Sequence, residues 1–154
     1  MKKDVIISIR GLQESQGESE DPITLVTAGR FYRKNGLYYI SYDETELTGL
    51  EGTRTTVKVG PDTVKVGPDP VKVIRTGLYP SELQFELGKR HMSLYHTEFG
   101  DLSIVVSTNH IRNTLTDDGG ELDVKYTVEV ANTPVGVNHL TLNIKNAEEG
   151  AICQ

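Results

Sequence analysis

The chain has 154 residues, a formal net charge of −6, 36% hydrophobic residues, no Trp and one cysteine. That length fits a single domain, residues 1–154, able to bury about two-thirds of its unfolded surface. The negative charge repels phosphate backbones, so nucleic acid is not an expected partner. The lone Cys153 can form no internal disulfide and sits too near the end to be held as a catalytic thiol.

From Val5 to Leu12 the chain reads VIISIRGL, with Val5, Ile7, Ile9 and Gly11 on one side, which predicts a strand. Ser8 and Arg10 break this run, so it is neither a membrane span nor a signal peptide, and the cytoplasm is the expected location. The polar QESQGESEDP reads as a solvated loop. In ITLVTAGRFYRK, Ile23, Leu25, Thr27, Gly29 and Phe31 share a face, and Gly29 in mid-strand suggests a bend or bulge. Asn35-Gly36 between aromatic-rich runs is the strongest hairpin signal.

In LYYISYDETE the parity of Tyr38, Ile40 and Tyr42 carries Glu44 and Glu46 onto the apolar face. LTGLEGT is a turn, and TRTTVKV a strand. Residues 56–62 and 63–69 are identical TVKVGPD heptapeptides. An odd-length slip would invert the valine face, so residues 56–70 are expected to project as an elongated hairpin loop. In VKVIRTG, Arg75 shares parity with Val71 and Val73. In SELQFELG, Leu83, Phe85 and Leu87 share a face. KRHMSLYHT places His96 with Met92 and Leu94, and FGDLSIVVS places Leu102 with Ile104 and Val106.

The clearest alternation is Leu122, Val124, Tyr126, Val128 and Val130 against charged and polar neighbours. NTPVG reads as a turn, Leu140, Leu142 and Ile144 as a last strand, and residues 146–154 as a frayed tail. No segment has capped helical periodicity. The runs predict an all-β fold of about eight to ten antiparallel strands, as a barrel or a sandwich.

These segments resemble the YwiB-like family of small bacterial proteins of uncharacterised function. The resemblance runs over LVTAGRFYRKNGLYYISYDETELTGLEGTRTT, VIRTG, SELQFELGKRHMSLYHTEFG and STNHIRNTLTDDGGELDVKYTVEV, nearly the whole chain. It implies a single antiparallel up-and-down β-barrel of the lipocalin-like (calycin) type. It brings no accepted catalytic residues, and the duplicated heptapeptide departs from the family pattern. By architecture alone, such barrels suggest apolar or acyl ligands.

Parity turns Glu44, Glu46, Arg75, His96 and Tyr126 toward one apolar interior, beside Tyr42. Read functionally, Arg75 anchors an anionic group of a small, partly apolar ligand while Tyr126 and His96 act as directional donors. Read structurally, Arg75 pairs with Glu44 or Glu46 and tyrosine hydroxyls close the group, which only fixes the packing. The first gives a non-enzymatic ligand-binding barrel, and the second an interaction module with a side-chain-filled barrel. Its surface would act at Tyr38-Tyr39, which could also form a homodimer contact, or at the turn from Glu46 to Gly52.

A hydrolase using His96 as base is a weaker reading, since the chain has no GxSxG elbow. His91, His110 and His139 lack metal-ligand spacing, so neither metal nor cofactor is expected. The basic spots at Arg30, Arg33 and Lys34 and at Lys89, Arg90 and His91 read as solvated turns.

Overall fold

The computed structural model describes residues 2–15, 18–19, 21–45, 51–60, 71–78, 80–97 and 100–147. Residues 61–70 of the duplicated loop, Glu46 and the tail from residue 148 lie outside this set.

One antiparallel sheet holds the strands β1 (Lys2–Ser15), β2 (Glu18–Ser19), β3 (Ile23–Lys34), β4 (Leu37–Asp43), β5 (Thr53–Val59), β6 (Val71–Gly77), β7 (Ser81–Phe85), β8 (Arg90–Thr97), β9 (Gly100–Asn113), β10 (Gly120–Val130) and β11 (Thr133–Asn146). Their order is β7-β6-β5-β4-β3-β1-β11-β10-β9-β8, and β2 pairs only with β1. Ten strands thus wind into a nearly closed barrel. Within the predicted loop QESQGESEDP, Glu18–Ser19 pairs back onto the end of β1, a two-residue ladder that the polar composition concealed.

Alternation decides which side chains enter the core. Val5, Ile7, Phe31, Ile40, Val71, Phe85, Val106, Val124 and Leu142 are almost completely buried, each on the face predicted by period-two patterning. Residues 56–59, within the stretch 56–70 expected to project as a loop, instead belong to β5 with Val57 buried, because they pair with β4 and β6. Asn35 and Gly36 adopt φ of 53° and 80°, the primed turn whose twist matches the flanking strands. The β10–β11 connection is of the same kind, with Ala131 and Asn132 at φ of 52° and 64°. NTPVG is therefore mostly strand. Its irregularity is a bulge, since Val128 faces Gly136 and Glu129 faces Pro134.

Gly29 is no bulge. It pairs regularly with Val5, and its lack of a side chain serves close packing instead. A Cβ there would lie 2.4 Å from Ile7 Cδ1 and 2.6 Å from the Ser41 carbonyl oxygen. Beyond Arg30 and Ser41 the β3–β4 ladder ends and the two strands diverge.

The face assigned to β8 is reversed. Met92 is 76% exposed and Leu94 is exposed, whereas Ser93 is buried. Met92 and Leu94 lie on the outer face, opposite Val105 and Ser103 of β9. The apolar residues misled because this strand buries a small polar side chain. Leu102 is exposed, although Ile104 and Val106 on the same face are buried.

The two ends of the barrel differ. At the end bearing Lys34, Leu37 and Asn113, the segment after β9 inserts Leu115 into the core, where it is 3% exposed. Asn113 Nδ2 donates to the Gly60 carbonyl, and Asp117 accepts from Arg33 at 3.0 Å and from the Tyr38 hydroxyl at 2.9 Å. This end is plugged. The other end, bearing Gly11, Ile23, Glu44 and Arg75, carries the cavity.

Candidate functional site

A row of polar residues crosses four adjacent strands beside this cavity. The register places Tyr42 opposite Thr55, Thr55 opposite Arg75, and Arg75 opposite Ser81, a row running across β4, β5, β6 and β7. All four side chains stand on strand positions with the parity of buried residues. Glu44 follows two residues after Tyr42, and its N–H donates to the Thr53 carbonyl at 2.9 Å. That bond carries the β4–β5 pairing one residue beyond β4, so the parity predicted for Glu44 persists.

Glu44 is buried, at 7% exposure, and Thr55 is fully buried. Thr55 Oγ1 donates to Glu44 Oε1 at 2.7 Å. Arg75 Nε stands 4.0 Å from the same oxygen, close enough for charge attraction and too far for a hydrogen bond. Nε is buried and has no hydrogen-bond partner among the described residues. Burial pushes the Tyr42 hydroxyl well above its ordinary value, and the charge of Glu44 and a hydrogen bond to it add to the rise, partly offset by Arg75. Tyr42 is therefore a neutral donor across the physiological range.

Against this row lies a cavity of about 380 Å³. Ile9, Leu25, Val57, Val73, Leu140 and Leu142 supply most of its lining, with Tyr42, Glu44 and Arg75 as its polar members. A mainly apolar hollow with a few convergent polar groups is the usual form of a small-molecule site. The groups present can orient and hydrogen-bond a guest.

Of the residues singled out from sequence, the structure brings Tyr42, Glu44 and Arg75 together. Tyr126 stands on the interior face of β10 but packs against Phe85, with ring centroids 4.6 Å apart, and does not line this cavity. His96 pairs with Asp101 near the β8–β9 turn, and its side chain, like Glu46, lies outside the described residues. Thr55 was missed. One face of β5 carries Thr53, Thr55, Val57 and Val59 in an ordinary strand pattern, and only the cross-strand register, which the sequence does not print, sets Thr55 between Tyr42 and Arg75.

The histidines show the same limit of linear spacing. His110 on β9 and His139 on β11 both face Lys125 of β10 in register, and both reach Asp123 on that strand. His139 Nε2 is hydrogen-bonded to Asp123 Oδ1, Thr141 Oγ1 donates to the same oxygen at 3.0 Å, and His110 Nε2 lies 3.6 Å from Oδ2. Among the described residues no group of three His, Cys, Asp or Glu is arranged to hold a metal ion.

The second basic spot is paired with carboxylates: Lys89 and His91 contact Glu86, and Arg90 contacts Glu129. In the first, Arg33 is held by Asp117. No helix among the described residues is long and apolar enough to cross a membrane.

Comparison with known proteins matches residues 7–142 to the model of a domain of unknown function, DUF1934. An uncharacterized β-barrel protein of Bacillus subtilis (strain 168), YwiB, is 25% identical over 138 residues, covering 90% of each chain. The crystal structure of the ywiB protein from Bacillus subtilis superposes with a TM-score of 0.79 at 25% identity, covering 95% of this chain and 93% of that one.

Proposed function

The chain belongs to the DUF1934 family, and from that premise we propose that it is a non-enzymatic, calycin-like barrel of the cytoplasm. In this reading it holds a small, partly apolar or acyl-type ligand in the cavity at its open end. The observation that carries the reading is a buried guanidinium nitrogen without a hydrogen-bond partner among the described residues, at the wall of a mainly apolar hollow. Buried polar groups are nearly always satisfied, because an unmade hydrogen bond costs about 1–3 kcal/mol. A ligand oxygen at Arg75 would supply the missing acceptor.

The hollow has room for roughly a dozen water-sized groups at about 30 Å³ each. This suits a short acyl chain or a compact amphipathic molecule. The opposite end is filled by Leu115 and sealed at Asp117, so a guest would enter from the Glu44–Arg75 end or through a gap between strands.

Native mass spectrometry of the protein purified gently from its own cells tests the proposal. The expected result is an added mass that is released on denaturation and lost in a Leu140→Trp variant, whose indole fills the cavity. A bare chain mass, with no mass gained when decanoate is added, would overturn the reading and favour a barrel acting through its surface.

A further inference from the structure

The barrel ladder is interrupted between β7 and β8: among the described residues β7 hydrogen-bonds only to β6, and β8 only to β9. The strands are joined at their base, where Gly88 N–H donates to the Thr108 carbonyl at 3.1 Å and Thr108 N–H to the Lys89 carbonyl at 3.3 Å. Above this junction a cleft of about 490 Å³ opens in the seam. Ser81, Gln84, His91 and Ser93 give it a hydrogen-bonding lining. Arg75 lines both this cleft and the barrel cavity, so the two hollows meet at its side chain.

Three features of Arg75 bear on what could occupy that meeting point. Its charge faces Glu44, but Glu44 Oε1 takes its short hydrogen bond from Thr55, and Arg75 Nε has no acceptor among the described residues. Its position opposite Ser81 sets it beside the open edge of β7. Across the seam stands Ser93, buried at 7% exposure. Glu86, the carboxylate nearest the base of the seam, is already engaged by Lys89 and His91, and Glu82 at the rim is exposed.

A second cleft, of about 340 Å³, lies where β3 and β4 diverge, and it shares Tyr42 with the cavity. There Arg54 is paired with Asp43 at 3.0 Å, and Arg30 is exposed at the rim beside Asp4. Of the arginines lining the two clefts, Arg75 is the one that also lines the barrel cavity, and its cleft is on the β7–β8 side.

We infer that the ligand of the barrel is amphipathic and lies across the β7–β8 seam, its apolar body in the cavity and a carboxylate-class head group in the seam cleft against Arg75. This rests on the interior-binding reading and adds the ligand class and the side on which its head group sits. A guanidinium with an unused donor favours a charged acceptor oxygen, which makes shorter and stronger hydrogen bonds than a neutral one. Ser81, Gln84 and Ser93 supply further donors at the rim of the same hollow.

An amide-detected NMR titration of the full chain with decanoate, and with decanol as the chain-matched neutral probe, tests this. Gln84→Trp is the informative variant, because Gln84 lines the cleft and not the cavity and stands on an outward-facing position of β7. Decanoate is expected to shift the amides of Ser81, Gln84 and Ser93 together with those of Leu140 and Leu142. Gln84→Trp should weaken decanoate roughly tenfold, a loss of one well-made charged contact, while leaving decanol unchanged.

If decanoate shifts only the cavity residues and binds Gln84→Trp as it binds the parent, the seam assignment is overturned and interior binding stands. If it shifts only the cleft residues, the bridging pose is wrong and so is the interior site. If saturating decanoate shifts neither set, both readings fall together.

Discussion

Arg75 Nε lies 4.0 Å from Glu44 Oε1, a charge pair without a hydrogen bond, while Thr55 Oγ1 holds that oxygen at 2.7 Å. The arrangement separates two roles within one cluster. Thr55 satisfies the carboxylate, and Arg75 neutralises it. Removing the arginine leaves a buried charge without its counter-charge, which costs about 3 kcal/mol at the lower end of the range for such pairs. Arg75→Leu should therefore lower stability by about that amount in urea unfolding, and adding Glu44→Gln should recover most of it. An unchanged midpoint in Arg75→Leu would show that solvent already screens the pair.

Thr55→Val tests the other role, because it keeps the shape of the side chain and removes the donor. Leaving Glu44 short of a hydrogen bond should cost about 1–3 kcal/mol, more than the replacement of an exposed threonine. Equal effects at Thr55 and at the outward-facing Thr56 would contradict the assignment.

Tyr42 makes the same cluster sensitive to alkali. Burial first, then the charge of Glu44, raises its proton affinity above the ordinary value of 10.0. The folded chain therefore keeps this proton to a higher pH than the unfolded chain does. The resulting stability is complete below the unfolded value and is lost as pH rises from there through the folded value. Urea midpoints measured from about pH 8 to about pH 11 should fall more steeply for the parent than for Tyr42→Phe. Parallel curves would remove Tyr42 as the cause.

The barrel was legible because period-two alternation is a local property: Leu122, Val124 and their neighbours announce their burial whatever strand lies beside them. The Tyr42, Glu44 and Arg75 group was legible for the same reason, as three polar residues at apolar parity. Thr55 was not, since its role comes from register with β4 and β6. Met92 and Leu94 misled because β8 buries Ser93 beside a gap in the barrel, where the inward face is not an apolar core. The Asp123 cluster was hidden because His110, Asp123 and His139 lie on three strands whose neighbourhood no linear spacing records.

Gly29 should tolerate no side chain. Its added Cβ would meet the Ser41 carbonyl oxygen at 2.6 Å, and backbone cannot rotate away as the Ile7 methyl can. Gly29→Ala is expected to destabilise by about 1–3 kcal/mol, the range for overpacking a close contact. Gly11→Ala, where an added Cβ meets nothing within 4 Å, is the matched control and should be nearly neutral. Equal thermal midpoints for the two variants would place the need for Gly29 elsewhere.

Asp123 sets the expected response to acid. Burial alone would raise its proton affinity, but hydrogen bonds from His139 and Thr141 and the charges of His139 and His110 outweigh it and hold the carboxyl below its ordinary 3.8. A carboxylate depressed in the folded state contributes stability above the unfolded value, and that contribution is lost as pH falls through the folded one. Asp123→Asn should thus be less stable than the parent near neutrality, with the gap closing as the solution is acidified below about pH 4. His139→Gln should reproduce most of the effect and His110→Gln less, because His139 makes the direct hydrogen bond while His110 stands 3.6 Å away and is more exposed. A parent and an Asp123→Asn variant that lose stability in parallel on acidification would assign the acid response to other carboxylates.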